Sequence, residues 1–168
     1  MIHINTGDGP GKTTAALGLA LRSLGWGKRV ALIRFLKKRS SGEVKVLDRM
    51  KNCLVRSFGR EEFIRDRAPG PEDYREAEAG LAEAERIIRE RSADLLILDE
   101  INVALDLKLF PPERVEKLIA DCPPEIELVL TGRNCPDRIL ALADYAVEIR
   151  SLRHPWEKAV PARPGIEY

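Results

Sequence analysis

The chain carries a short glycine-rich segment with a single lysine close to its start. The segment reads Gly7-Asp8-Gly9-Pro10-Gly11-Lys12-Thr13-Thr14. Glycines let the backbone curl so that successive N–H groups point inward, and such a loop before a helix suits an anion with several charges. Lys12 is predicted to reach the β- and γ-phosphates of a nucleotide, and the Thr13 hydroxyl to bind Mg²⁺. The strict pattern GxxxxGK[ST] has glycine where this chain has Thr6, so the loop is one residue tighter. The whole segment is predicted to bind ATP.

Two acidic residues and two arginines are further candidates for the same site. Asp99 and Glu100 directly follow the apolar run 95–98. Carboxylates at the end of a buried strand commonly complete a phosphate and metal site, so both are predicted metal ligands. The sequence does not decide which of them touches the metal, and Mn²⁺ takes the same oxygen ligands as Mg²⁺. Arg133 follows another apolar run and Arg22 lies on the helix after the loop. On pattern alone each arginine could contact ATP or lie on the surface.

The elements that position these residues alternate between apolar runs and helical patterns. Strands are predicted over residues 2–5, 30–35, 54–58, 95–98, 128–130 and 146–149, and helices over 13–24, 71–91, 113–119 and 139–143. Strands that are apolar on both faces and separated by helices indicate a parallel sheet covered on two sides. We therefore predict a three-layer α/β fold of the P-loop NTPase (RecA-like) type. Ligands of such sheets bind beyond the carboxyl ends of the strands, where the loop, Asp99, Glu100 and Arg133 all fall.

Composition limits the classes of partner and location. At 168 residues the chain fits one domain, residues 1–168. Its 28 Lys and Arg balance 27 Asp and Glu, so net charge predicts neither a nucleic-acid nor a membrane partner. No apolar run approaches the ~18 residues of a membrane span, and residues 1–5 lack the basic-then-apolar pattern of a secretion signal. Three widely spaced cysteines indicate reduced thiols, and a cytoplasmic protein is predicted.

Taken together, these residues resemble the family of P-loop ATP:corrinoid adenosyltransferases. The likeness runs through Thr6-Gly7-Asp8-Gly9-Pro10-Gly11-Lys12-Thr13-Thr14, Gly25-Trp26-Gly27-Lys28, Phe35-Leu36-Lys37, Leu98-Asp99-Glu100-Ile101-Asn102, Thr131-Gly132-Arg133-Asn134-Cys135-Pro136, His154-Pro155 and the tail Gly165-Ile166-Glu167-Tyr168. The tail is the most specific part, because general ATPases do not share it. The likeness covers nearly the whole chain and is weakest between residues 45 and 93.

The resemblance implies an unusual reaction. Reduced cobalt, Co(I), of cobalamin or a cobinamide-type precursor attacks the 5′ carbon of ATP, and the whole triphosphate leaves. The cobalt is the nucleophile, so the protein would contribute positioning and charge stabilisation. The resemblance implies catalytic roles for Lys12, Thr13, Arg22 and Glu100. Thr13 and Glu100 would bind the metal with support from Asp99, and Arg22 and Arg133 would contact ATP. It also implies a homodimer and an electron donor such as a flavoprotein.

The sequence departs from the family pattern at four places. Arg34 stands where the family usually has Gln, Pro10 where the loop usually has Lys, and Val147 where Thr is common. The segment 59–63 replaces an aromatic stretch that, in the family, meets the corrinoid. Phe63 could make that contact, but an ordinary buried loop residue is the favoured interpretation. These changes predict ordinary ATP binding and altered corrinoid recognition.

The sequence leaves two other functions open. A RecA-like ATPase would hydrolyse ATP to drive a partner, with Glu100 as its base. A nucleotide- or corrinoid-binding protein without catalysis would bind the same ligands and turn nothing over. The products of ATP separate the three functions, since a transferase releases triphosphate, an ATPase releases ADP, and a binding protein releases neither.

Overall fold

The computed structural model describes residues 1–37, 41–60, 68–155 and 160–166. Over these residues the chain forms six strands and six helices. The strands are β1 (Ile2–Thr6), β2 (Val30–Phe35), β3 (Cys53–Phe58), β4 (Leu95–Asp99), β5 (Glu127–Thr131) and β6 (Tyr145–Glu148). The helices are α1 (Lys12–Gly25), α2 (Gly42–Leu47), α3 (Pro71–Glu90), α4 (Ile101–Asp106), α5 (Pro112–Asp121) and α6 (Asp137–Leu140).

The strands form one sheet in the order β3-β2-β4-β5-β1-β6, and every neighbouring pair is parallel. The predicted α/β fold with a parallel sheet is confirmed. Because all six strands run the same way, their carboxyl ends meet at one edge of the sheet. The loops that follow β1, β2, β4 and β5 therefore lie together.

Successive residues of the inner strands pack into two different cores, one on each face of the sheet. In β2, Val30 and Leu32 pack with α1, whereas Ala31 and Ile33 pack with α3 and α4. Side chains of a strand alternate between faces, so a strand buried on both sides must be apolar throughout. This explains why the inner strands are continuous apolar runs in the sequence and confirms the three layers.

Helix α3 is the long helix that the sequence predicts over residues 71–91. It begins after Gly70, whose N–H donates to the Asp73 carboxylate at 2.8 Å. It ends at Glu90, and the next residue, Arg91, lies in the left-handed region with φ of 50°. Gly80 lets the helix approach the sheet closely, because an added Cβ would lie 2.8 Å from the Phe35 ring. The helix thereby packs directly over the strands whose carboxyl ends carry the site.

The structure corrects several predicted boundaries and adds two helices. Helices α2 and α4 were not predicted, and both are only six residues long, too short to show a clear 3.6-residue period. The predicted helix 139–143 is instead Asp137–Leu140, which begins directly after Pro136. Among the described residues, no helix combines the length and the apolarity that crossing a membrane requires.

Candidate nucleotide and metal site

The glycine-rich loop joins the end of β1 to the start of α1. Gly7 and Gly11 have φ of 98° and 112°, a conformation that favours glycine. The N–H of Gly9 donates to the Ile149 carbonyl at 2.7 Å, and a Cβ on Gly9 would lie 2.7 Å from the carbonyl carbon of Arg150. The backbone of Ile149 and Arg150, directly after β6, therefore packs against the loop. This close packing is a reason for glycine at position 9 that the sequence alone does not reveal.

The side-chain ammonium of Lys12, the first residue of α1, lies within this loop. Its Nζ donates to the carbonyls of Gly7 and Gly9 at 2.6 and 2.7 Å, and the side chain is buried. Burial, followed by the nearby charge of Arg133, lowers the pKa of Lys12 below its ordinary value. The first N–H groups of α1 have no acceptor inside the helix, and the helix dipole adds partial positive charge there. A lysine ammonium next to such N–H groups is an arrangement that binds a polyphosphate.

Asp99 is the most buried charged group of the site. It ends β4 and is 0% exposed. Its Oδ1 accepts hydrogen bonds from the Thr13 and Thr131 hydroxyls at 2.7 and 2.8 Å, and its Oδ2 accepts one from Lys37 Nζ at 2.8 Å. Burial alone would raise the pKa of Asp99, but the charge of Lys37 and these hydrogen bonds outweigh it and hold the pKa below its usual value. Asp99 is therefore an anion held directly beside Thr13.

Lys37 is a member of the site that sequence reasoning missed as a functional residue. Its Nζ also lies 3.3 Å from Glu100 Oε1, so one ammonium bridges the two carboxylates that are predicted to bind the metal. Burial would lower the pKa of Lys37, but the charges of Asp99 and Glu100 outweigh it and raise the pKa above its ordinary value. A signal was present, since Lys37 follows β2 just as Glu100 follows β4, and strand-end positions are where ligands bind.

The residues present fit a divalent metal held together with phosphate. Among the described residues, no group of three or more His, Cys, Asp or Glu side chains could hold an ion alone. Mg²⁺ keeps several waters and takes phosphate oxygens, so one or two carboxylates suffice for it. The Thr13 hydroxyl donates a hydrogen bond to the Asp99 carboxylate. The ammonium of Lys37 lies between Asp99 and Glu100, so the two carboxylates already stabilise one positive charge. The donor set is all oxygen, as Mg²⁺ and Mn²⁺ prefer.

A sequence model of the ATP:corrinoid adenosyltransferases BtuR/CobO/CobP matches residues 1–168 of the chain. The chain belongs to this adenosyltransferase family. It is 32% identical over 170 residues to the corrinoid adenosyltransferase of Escherichia coli (strain K12), an alignment that covers 100% of this chain and 85% of that protein. It is 31% identical over 170 residues to the corrinoid adenosyltransferase CobA of Salmonella typhimurium (strain LT2), with the same coverage. An uncharacterized protein of Nostoc sp. (strain PCC 7120) is 36% identical over 173 residues, covering 92% of this chain and 44% of that protein.

The structure brings most of the predicted adenosyltransferase residues to one edge of the sheet. Thr13, Asp99 and Glu100 meet there beside the loop, and Arg133 is exposed after β5. Arg133 lies close enough for its charge to act on Lys12. Arg22 is not brought to this group, since it lies in the last turn of α1, about 15 Å along the axis from Lys12.

The positions that depart from the adenosyltransferase pattern lie in different surroundings. Arg34 is buried in β2, where its Nη1 and Nη2 donate to the hydroxyls of Ser57 and Ser41 at 3.3 and 3.2 Å. Val147 is exposed on the edge strand β6, and Pro10 is exposed at the mouth of the loop. Phe63, with the tail residues 167–168, lies outside the described residues.

Proposed function

We propose that this adenosyltransferase moves the 5′-deoxyadenosyl group of ATP to the Co(I) of a corrinoid, in adenosylcobalamin synthesis. The corrinoid is cobalamin or a cobinamide-type precursor. The observation that carries the proposal is the family match over residues 1–168, and the phosphate loop with its carboxylates lies inside that match. ATP and the corrinoid are both substrates of this reaction.

The bond changes define what the protein must stabilise. The electron pair of Co(I) forms the Co–C bond to the 5′ carbon, the C–O bond of the ribose breaks, and its electron pair leaves with triphosphate. Negative charge therefore builds on the leaving oxygen, not on a transferred phosphoryl group. Lys12 and the N–H groups at the start of α1 are our candidates to receive that charge. No side-chain nucleophile or base takes part.

The metal assignment is also part of the proposal. Thr13, Asp99 and Glu100 would hold Mg²⁺ or Mn²⁺, and the bound ion would offset part of the triphosphate charge. The contact between the Thr13 hydroxyl and Asp99 supports the assignment. Arg133 is proposed to contact ATP, because its exposed guanidinium is near enough to Lys12 to act on its charge. Arg22 stays a prediction, since α1 carries it away from the loop.

Further parts of the proposal concern partners and location. The corrinoid must arrive as Co(I), so a strong one-electron donor such as a reduced flavoprotein is the proposed supplier of the electron. A homodimer and a cytoplasmic location are proposed with it. The RecA-like ATPase is not favoured, because the adenosyltransferase family match covers residues 1–168 and so includes the loop.

An anaerobic assay tests the proposed function. Protein, MgATP and chemically reduced cobalamin or cobinamide are mixed, the corrinoid spectrum is followed, and the phosphate product is identified. We expect loss of the Co(I) band, a light-sensitive alkyl corrinoid, and triphosphate in equal amount. Accumulation of ADP without adenosylation would overturn the proposal and leave an ATPase. A Lys28→Ala variant, changed at an exposed position, serves as the matched control for substitutions in the loop.

A further inference from the structure

The ammonium of Lys37 forms ion pairs with Asp99 and Glu100, the two carboxylates that we propose as metal ligands. It is 2.8 Å from Asp99 Oδ2 and 3.3 Å from Glu100 Oε1. The other oxygen of Asp99 accepts hydrogen bonds from Thr13 and Thr131. Both oxygens of Asp99 are therefore in use, and Oδ2 is held by a cation. A divalent ion that binds Asp99 at Oδ2 must take the place of that ammonium.

The backbone holds Lys37 at this position from both sides. Leu36, the residue before it, has φ of 60°, in the left-handed region that a branched side chain rarely adopts. Gly59 follows β3 and lies against this turn, where an added Cβ would be 2.6 Å from the backbone nitrogen of Lys37. The sharp turn and the close approach of Gly59 direct the chain so that Lys37 reaches Asp99 and not solvent, with 23% of its side chain exposed.

Charge balance decides when the ammonium can leave. A metal ion that arrives alone brings two positive charges to two carboxylates and leaves the ammonium without an anion in a mostly covered site. Metal that arrives with ATP brings phosphate oxygens as well, so the displaced ammonium gains new anionic partners. Lys37 is linked to the phosphate loop through Asp99, whose carboxylate accepts hydrogen bonds from both Lys37 Nζ and the Thr13 hydroxyl. The exchange is thus favourable with the nucleotide and unfavourable without it.

We propose that Lys37 is a built-in counter-ion that keeps Asp99 and Glu100 closed to free metal and yields them only to metal that arrives with a triphosphate. The inference rests on the proposed metal assignment. It makes Lys37 a positioning residue that couples metal binding to nucleotide binding, and such coupling is reciprocal. Removing the ammonium should open the carboxylates to metal alone.

Binding of Mn²⁺ to the nucleotide-free protein tests the inference, with free Mn²⁺ measured by electron paramagnetic resonance. We expect weak binding by the natural protein and binding at least about tenfold tighter by Lys37→Met, since an opposing unit charge is removed within about 4 Å. Lys37→Arg keeps the charge and should bind as weakly as the natural protein. Lys45→Met, on the exposed face of α2, is the matched control and should change nothing.

A second readout covers the case in which Lys37→Met folds poorly. Mn²⁺ alone should raise the thermal unfolding temperature of Lys37→Met or Lys37→Gln and leave that of the natural protein unchanged, because only the variants bind the ion without nucleotide. The gain in Mn²⁺ affinity should disappear in the double variant Lys37→Met, Asp99→Asn. Persistence of the gain in the double variant would overturn the inference, since the ion would then bind elsewhere.

Failure of the inference and failure of the metal assignment give different results. Asp99→Asn should weaken Mn²⁺ binding in the presence of ATP if the assignment is right. Unchanged Mn²⁺ affinity in Lys37→Met, together with weakened binding in Asp99→Asn, would refute the counter-ion alone. Unchanged binding in Asp99→Asn with ATP present would refute the metal assignment and the inference with it.

Discussion

Strands β2 and β4 lie side by side, and an aspartate is paired with a cation at each end of them. At the amino ends, Arg29 precedes β2 and its guanidinium lies 2.7 Å from Asp94, which precedes β4. At the carboxyl ends, Lys37 follows β2 and lies 2.8 Å from Asp99, the last residue of β4. The residue types are alike, but the Asp94 side chain is 30% exposed and that of Asp99 is 0% exposed.

The two ion pairs also differ in the other groups that contact each carboxylate. In the Asp94 pair, both oxygens of the carboxylate accept hydrogen bonds from Arg29, one from its backbone N–H and one from its guanidinium. The Asp99 pair shares its cation with Glu100 and its carboxylate with Thr13, beside the phosphate loop. Parallel strands bring only their carboxyl ends to the binding edge. Substitutions at that edge should change function, and those at the opposite edge should change stability alone.

The largest effect is expected from Lys12→Ala. The substitution removes the ammonium at the centre of the loop and the two hydrogen bonds that it donates to the loop carbonyls. We expect ATP affinity, measured by isothermal titration calorimetry, to fall about 100-fold or more, since charged groups bind phosphate most strongly. Lys28→Ala should bind ATP normally. Retained ATP binding in Lys12→Ala would refute the phosphate-loop assignment.

Exchanging each aspartate for asparagine compares the two ends directly. Asp99→Asn keeps the shape that accepts the Thr13 and Thr131 hydrogen bonds but removes the charge. We expect the rate of adenosylation to fall about 100-fold, the scale at which the loss of one electrostatic contact acts in catalysis. Asp94→Asn should keep the natural rate. Equal rates in the two variants would break the distinction between the ends.

Gly9→Ala tests the close packing between the loop and the backbone of residues 149 and 150. An added Cβ would lie 2.7 Å from the carbonyl carbon of Arg150 and 2.9 Å from the Ile149 oxygen, so the loop must shift. We expect the free energy of unfolding to fall by about 1–3 kcal/mol, as for other overpacked sites, and ATP affinity to fall with it. Gly18→Ala is the control, because a Cβ there meets nothing within 4 Å. In helix α1 that change should stabilise the protein by about 0.5–1 kcal/mol, measured by urea unfolding.

The parts of the site that follow from local pattern are predictable from the sequence. The loop, the strand before it and the two carboxylates at the end of β4 can each be predicted from a few consecutive residues. That they meet follows from the parallel topology of the sheet. Lys37 enters the sequence prediction only through the family likeness, because its role depends on the left-handed turn at Leu36 and on Gly59, which follows β3. The contact of Gly9 with Ile149 was missed for the same reason, since it joins residues far apart in sequence.

The distance of Arg22 from the loop, by contrast, could have been predicted from the sequence. The resemblance implies that Arg22 contacts ATP, and this stays a prediction. The rise of α1 places Arg22 at the other end of the helix from the loop. Helical rise follows from the number of residues alone, so the sequence that predicts the helix also predicts this separation. The six-residue helices α2 and α4 could not be predicted in that way, because tertiary packing and not periodicity forms helices of that length.

The smallest effect is expected from Asp94→Asn on stability. The hydrogen bond from Arg29 lowers the pKa of Asp94 from 3.8 to about 2, so the charged form stabilises the folded state above pH 3.8 and this contribution is lost as the pH falls toward 2. Solvent screens the pair, so we expect Asp94→Asn to lower the free energy of unfolding by at most about 1 kcal/mol at neutral pH. In urea unfolding curves the gap between the natural protein and the variant should be constant near neutrality and should close in acid. A gap that persists at acid pH, or a fall in adenosylation rate, would show that the amino-end pair does more than join β2 to β4.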